Sequence, residues 1–181
     1  MGCAPIAAFT VTHPDMVASL VLYWPVGGVK YRIASHQRFA EHIAFVRDNG
    51  LEHVVALIRA QGKPFGLDPR GGPWASVTKR DTDFAAAYAR QDLRQYITTC
   101  ESMRDALFDR DTAPGAVPEQ LMRVAVPAFI VPGHDAAHTT SAARYLEECL
   151  PQSTYWDAAV EAQTEAATNP RVLEFLRGVQ L

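Results

Sequence analysis

Val126-Pro127-Ala128-Phe129-Ile130-Val131-Pro132-Gly133-His134-Asp135 is the stretch that decides the fold. Pro127 and Pro132 bracket four apolar residues, and proline cannot donate to a central sheet ladder, so the run between them is a short strand with sharp ends. An unbroken apolar run of that length marks a strand buried on both faces. Downstream, Ala142, Tyr145, Leu146, Cys149 and Leu150 fall at i, i+3, i+4, i+7 and i+8. That spacing predicts a helix with one apolar face, with Thr139 or Thr140 as N-cap and Pro151 closing it. Residues 153–156 then read as another short strand, and Asn169-Pro170 as the cap and first-turn proline of a last helix carrying Val172, Leu173, Phe175 and Leu176.

Working upstream, Met16 to Trp24 contains the apolar run Leu20-Val21-Leu22 and is stopped by Pro25 and Gly27-Gly28, which predicts a first buried strand. Residues 5–13 are apolar nearly all round (Ile6, Ala7, Ala8, Phe9, Val11), so a helix there expects cover on more than one side. The uncovered side suggests a chain truncated at its front. Between the first two strands lies a long insertion of helical runs: Phe39, Ile43 and Val46, ended by Asn49-Gly50; Leu51, Val54, Val55 and Ile58, ended by Gly62; Phe84 and Tyr88; Met103, Leu107 and Phe108. A stiff Gly/Pro-rich loop spans residues 64–74, where Phe65, Trp74 and the Asp68-Pro69-Arg70-Gly71-Gly72-Pro73 segment read either as a lid edge or as local packing. Strands separated by helices imply parallel pairing, because parallel neighbours need crossovers. The expected class is therefore α/β: a partial parallel sheet from residues 1–28 and 124–181, with a mostly helical cap at 29–123.

The chain has 181 residues, enough for a real core, and its net charge of −3 provides no basic field for phosphates, so nucleic acid is not an expected partner. Cys3, Cys100 and Cys149 are odd in number and lack any CxxC spacing, which predicts reduced thiols and a cytoplasmic setting. No run approaches the ~18 apolar residues needed to span a bilayer, so no membrane association is expected. Ile6 stands where myristoylation after Met1-Gly2 would want Ser or Thr. There is no P-loop, dinucleotide-type glycine fingerprint or paired-cysteine metal site, and no cofactor is expected.

His13-Pro14-Asp15-Met16-Val17 leading into Ala18-Ser19-Leu20-Val21-Leu22, together with Val126 to Asp135 after the helical insertion, resembles the α/β-hydrolase family from just past its nucleophile elbow to its end. The resemblance covers essentially the whole chain. It implies a lid-bearing, cofactor-free hydrolase whose complete form acts on a small ester, amide or carbon–carbon bond. In that family the elbow reads G-x-S-x-G and the backbone N–H after the Ser serves the oxyanion hole. Met1-Gly2 would match its last two positions, making Met1 the oxyanion-hole residue, while the Ser and everything before it are missing from this sequence.

The same resemblance makes Asp135 the triad acid, at the carboxyl end of a strand where open α/β sheets gather functional groups. Taken alone, Asp135 reads equally as a turn or cap residue. The family's catalytic His belongs in the loop after the last strand, but residues 157–165 (Asp-Ala-Ala-Val-Glu-Ala-Gln-Thr-Glu) contain none. Three alternatives stay open: a non-catalytic relative, an altered role for Glu161 or Glu165, or recruitment of His138 from beside Asp135 as a surrogate base. His134, Asp135 and His138 also invite a metal reading, against which His134 precedes the helix and no third strong ligand is evident. His36 and His42, six apart, fall off a common helix face and read as solvated or locally bonded; His53 carries no signal.

Tyr23 and Trp24, ending the first strand, are expected to line a substrate pocket between sheet and cap, near Asp135 and the helices containing Phe39 and Phe84. Core packing is the competing reading for both. The expected partner is a small-molecule substrate, or, for a non-catalytic relative, a small apolar ligand or a protein. An unpaired edge on the first strand makes a homo-oligomer possible.

Overall fold

The computed structural model describes residues 2–179. They form a mixed α/β structure with a small three-stranded parallel sheet, and they divide into two compact units. One contains the residues up to Arg32 together with those from Arg110 onward; the other is Ile33–Asp109.

In the first unit the strands are β1 (Leu20–Tyr23), β2 (Ala128–Val131) and β3 (Ser153–Tyr155), in the order β1-β2-β3. Both pairings are parallel, with Leu20 opposite Ala128, Tyr23 opposite Val131, and Ala128 opposite Ser153. Side chains alternate across a strand, so Leu20, Leu22, Ala128 and Ile130 share one face and bury against α8 (Thr140–Cys149) and α1 (Cys3–Thr12). Phe129 points the other way and meets Phe175 of α9 (Glu165–Gly178) at 5.6 Å between ring centroids. Helices thus cover both faces of β2, which explains why its four residues are all buried and its sequence has no polar alternation. On β1 the burial alternates instead, and Val21 and Tyr23 stay about two-fifths exposed.

Several boundaries differ from those read in the sequence. The first strand starts at Leu20 and not Met16, because His13 to Val17 closes into a 3-10 turn, with Met16 N–H donating to the His13 carbonyl and Val17 N–H to that of Pro14. The last helix starts at Glu165, not at Asn169-Pro170. Thr164 occupies the N-cap and its carbonyl receives the N–H groups of Ala167 and Thr168, leaving Pro170 inside the helix. Ala166 and Ala167 carry no apolar periodicity, so the stronger Asn-Pro signal masked the true start. Thr139 does sit at the N-cap of α8, but its hydroxyl donates to the Gly27 carbonyl at 3.0 Å and does not cap. On α1, Ala7 and Thr10 are buried while Ile6 and Phe9 remain about two-fifths exposed.

The second unit is helical. Its elements are most of α2 (Val29–Asn49), then α3 (Leu51–Gln61), α4 (Ala75–Arg80), α5 (Thr82–Ala89) and α6 (Leu93–Leu107), before a short α7 (Pro118–Leu121) in the first unit. The expected faces of α2 and α3 are buried: Phe39, Ile43 and Val46, then Leu51, Val54, Val55 and Ile58. Asp81 and Asp92 cap α5 and α6 by accepting backbone N–H groups from Phe84 and Gln95. Of the residues that marked α6, Phe108 at its C-cap is buried, Met103 is half-buried and Leu107 is 37% exposed, while Tyr96 and Cys100, which the spacing did not single out, are buried as well. Tyr96 has a buried polar partner. That partner is His42, which is fully buried and not solvated.

Among the described residues no helix is long and apolar enough to cross a membrane. Cys3, Cys100 and Cys149 are free thiols.

Candidate active site

The carboxyl ends of the three strands bring together segments far apart in sequence, and all of them belong to the first unit. Tyr23 ends β1 and Trp24 follows it; after β2 comes the Pro132-to-Thr139 loop; after β3, the loop from Trp156 to Gln163. The Trp24 N–H donates to the Val131 carbonyl at 2.9 Å, and the Trp156 N–H to Ile130 at 3.0 Å, so the sheet register continues one residue past the strands and fixes where these loops depart.

Asp135 organises the middle loop. Its Oδ1 accepts the backbone N–H groups of Ala137 (2.7 Å) and His138 (2.8 Å), and its carboxylate accepts from His138 Nδ1 at 2.9–3.0 Å. The turn role read in the sequence is therefore filled by the same carboxylate that meets the His138 imidazole. These three donors hold the carboxyl well below its usual range, at about 2, with the imidazole contact first among them. Asp135 stays ionised through the weakly acidic range, and an ionised carboxylate can only accept, so His138 carries its proton on Nδ1. The lone pair of a neutral imidazole is then on Nε2, which makes no hydrogen bond among the described residues. His138 lies just before the N-cap Thr139 of α8.

The loop is braced from β1. Gly27 N–H donates to the Ala137 carbonyl at 2.9 Å, and the Thr139 hydroxyl returns a bond to the Gly27 carbonyl. A Cβ on Gly27 would sit 2.6 Å from the Thr112 carbonyl oxygen and 2.8 Å from Ala142 Cβ, so this approach requires glycine. Gly133 is under a similar constraint: an added Cβ would lie 2.5 Å from His138 Cβ and 3.3 Å from Trp24 Cγ.

Tyr23 and Trp24 stack on each other at 5.8 Å and 16°, and the Trp24 ring is also 5.8 Å from that of His138. The residues expected to bind substrate therefore form an aromatic shelf beside the imidazole. Trp24 has φ 51°, a left-handed conformation uncommon for a bulky side chain. Met1, the expected oxyanion-hole residue, lies outside the described residues. His134 is exposed and its Nδ1 is 3.4 Å from the Thr140 hydroxyl. Among the described residues no three His, Cys, Asp or Glu side chains are grouped to hold a metal ion.

Sequence reasoning missed Gln163. It occupies the loop in which the resemblance implies a His, and it is buried. Its Oε1 accepts the Trp24 indole N–H at 2.6 Å, while its Nε2 donates to the carbonyls of Pro132 (2.8 Å) and Ala158 (2.9 Å). The only signal was a long neutral amide among small residues. Glu161, one of the two acids weighed for an altered role, is exposed, as is Glu165. A groove of about 760 Å³ lined by Pro127, Phe129, Gln152, Thr154, Arg171 and Phe175 lies at the entry ends of β2 and β3, the end opposite the His138–Asp135 pair.

No protein-family model, no curated protein and no solved structure matches this chain.

Proposed function

We propose that this is an α/β-hydrolase-like protein in which His138, oriented by Asp135, acts as general base in adding water to a small ester, amide or carbon–carbon substrate. The observation that carries the reading is the 2.9 Å contact from His138 Nδ1 to Asp135 Oδ2 at the carboxyl ends of parallel strands, with no hydrogen bond to Nε2 among the described residues. For an ester, Nε2 takes a proton from water as its oxygen adds to the carbonyl carbon. The imidazolium, stabilised by Asp135, then protonates the leaving alkoxide as the acyl C–O bond breaks, giving acid and alcohol and restoring neutral His138. Tyr23 and Trp24 supply the apolar surface on which the acyl group rests.

Gln163 favours a second reading, a non-catalytic relative that binds a small apolar ligand, because the loop that carries the family's His carries a buried amide here. One experiment separates the two. Saturable turnover of short-chain p-nitrophenyl esters is measured for the full chain, His138→Gln and Asp135→Asn. The hydrolase reading expects His138→Gln to lose about 10²-fold or more in kcat, in line with general-base catalysis, and Asp135→Asn to fall less steeply. A wild-type rate no greater than that of free imidazole supports the binding reading. Full activity in His138→Gln overturns the proposed base.

A further inference from the structure

We infer that Gln163 is a positioning residue for His138, acting through Trp24; the inference rests on the proposed role of His138. Gln163 follows a 3-10 turn at Val160–Ala162 and reaches inward with every polar atom of its amide engaged. The direction of the amide is fixed by its surroundings. Two carbonyls, those of Pro132 and Ala158, demand the NH₂ group, and the indole N–H demands the oxygen. One carboxamide thus ties together the segments that leave all three strands.

The consequence for His138 runs through Trp24. Backbone pairing to Val131 holds Trp24 at one end and the Gln163 bond holds the tip of its indole. Between these anchors the indole lies against the imidazole, with Gly133 close enough to both to exclude any side chain. Asp135 grips the imidazole at Nδ1 only, which leaves the ring free to swing about that contact unless something stops its face. The Trp24 ring is that stop, so it sets where Nε2 points. The left-handed backbone of Trp24 fits this role, because such a conformation in a bulky residue persists only where surrounding contacts enforce it. Gln163 supplies one of those contacts. A Met of similar length would fill the volume and lose all three hydrogen bonds; a Phe at position 24 would keep the ring and lose only the link to Gln163.

The test uses the full chain with ¹⁵N-labelled histidine and tryptophan, comparing wild type, Gln163→Met, Trp24→Phe and the double variant, with His138→Gln assigning the signal among the six histidines. Expected are a changed ring ¹⁵N pattern for His138 in both single variants and loss of the hydrogen-bonded indole N–H signal of Trp24 in Gln163→Met. Ester kcat should fall about tenfold in each with KM within about twofold, and the double variant should fall little further, as residues acting in one chain are non-additive. If Gln163→Met fails to fold, the His138 ring signals of Trp24→Phe, which a lost substrate contact would not move, decide alone. Folded variants that melt earlier but keep the wild-type His138 ring signals and kcat would overturn the inference and leave Gln163 a structural staple. If the wild type itself turns over no ester, the hydrolase reading fails, and the His138 signals still decide whether Gln163 positions the ring.

Discussion

Nε2 of His42 lies 2.7 Å from the Tyr96 hydroxyl, in the buried centre of the helical unit. The Arg70 carbonyl, 3.0 Å from Nδ1, can only accept, so Nδ1 carries the proton and Nε2 accepts from Tyr96. Tyr88 in turn donates to Tyr96 at 2.6 Å. The chain runs in one direction, Tyr88 to Tyr96 to His42 to Arg70, and it is complete only while the imidazole is neutral. Burial pushes both phenols up, so both remain protonated donors.

Removing the middle member should therefore cost more than one hydrogen bond. Tyr96→Phe leaves Nε2 without a donor and the Tyr88 hydroxyl without an acceptor, both in the interior. A loss of about 1–3 kcal/mol is expected from urea unfolding of the full chain. A change below about 0.5 kcal/mol, typical of a surface site, would contradict the directional chain.

Acid should weaken the same unit. Burial lowers the His42 pKa below its ordinary 6.5, so the folded state holds it neutral where the unfolded chain already takes up a proton. Its contribution is complete above about pH 6.5 and is lost progressively as pH falls from there toward the lowered folded value. The depressed carboxylates of Asp68, beside Arg70, and Asp135 act in a separate window, giving stability that is present above 3.8 and lost below it. Thermal melting from pH 7 to pH 5 should show a decline in the wild type that flattens in His42→Gln. Equal slopes in the two proteins would exclude His42 as the source.

Gly133→Ala should disturb the candidate site directly. The new methyl would fall 2.5 Å from His138 Cβ and 2.7 Å from the His138 carbonyl oxygen, closer than real contacts allow, so the loop must move. A destabilisation of about 1–3 kcal/mol is expected, as for overpacking elsewhere. The His138 Nδ1–H proton signal should weaken with it. Unchanged stability together with an unchanged Nδ1–H signal would show that the loop has room the structure does not give it.

The sequence made the sheet legible where short-range physics decides. Pro127 and Pro132 mark the ends of β2, and the i, i+3, i+4 spacing of Ala142, Tyr145 and Leu146 marks α8. Asp135 and His138 came into view through the family resemblance and their closeness in sequence, and the structure brings the two side chains to 2.9 Å. What the sequence hid depends on distant partners. Nothing near Tyr96 reveals that His42, 54 residues away, turns that face of α6 inward. Nothing near Gln163 reveals Trp24, 139 residues away. Pro170 misled because a proline at a helix start and a proline one turn inside look alike locally, and the first turn after the deciding cap, Thr164, offers only Ala166 and Ala167 as apolar residues.

Chemical rescue tests the proposed base most directly. His138→Ala removes the imidazole and leaves a space beside Asp135 and Trp24, and turnover of a short-chain p-nitrophenyl ester is followed with and without added imidazole, the uncatalysed imidazole reaction being subtracted. If His138 is the general base, the variant loses about 10²-fold or more in kcat and imidazole restores part of it with saturation, since the site still holds the carboxylate that would orient the ring. His138→Ala turning over the ester as fast as the wild type, with no response to imidazole, would contradict it.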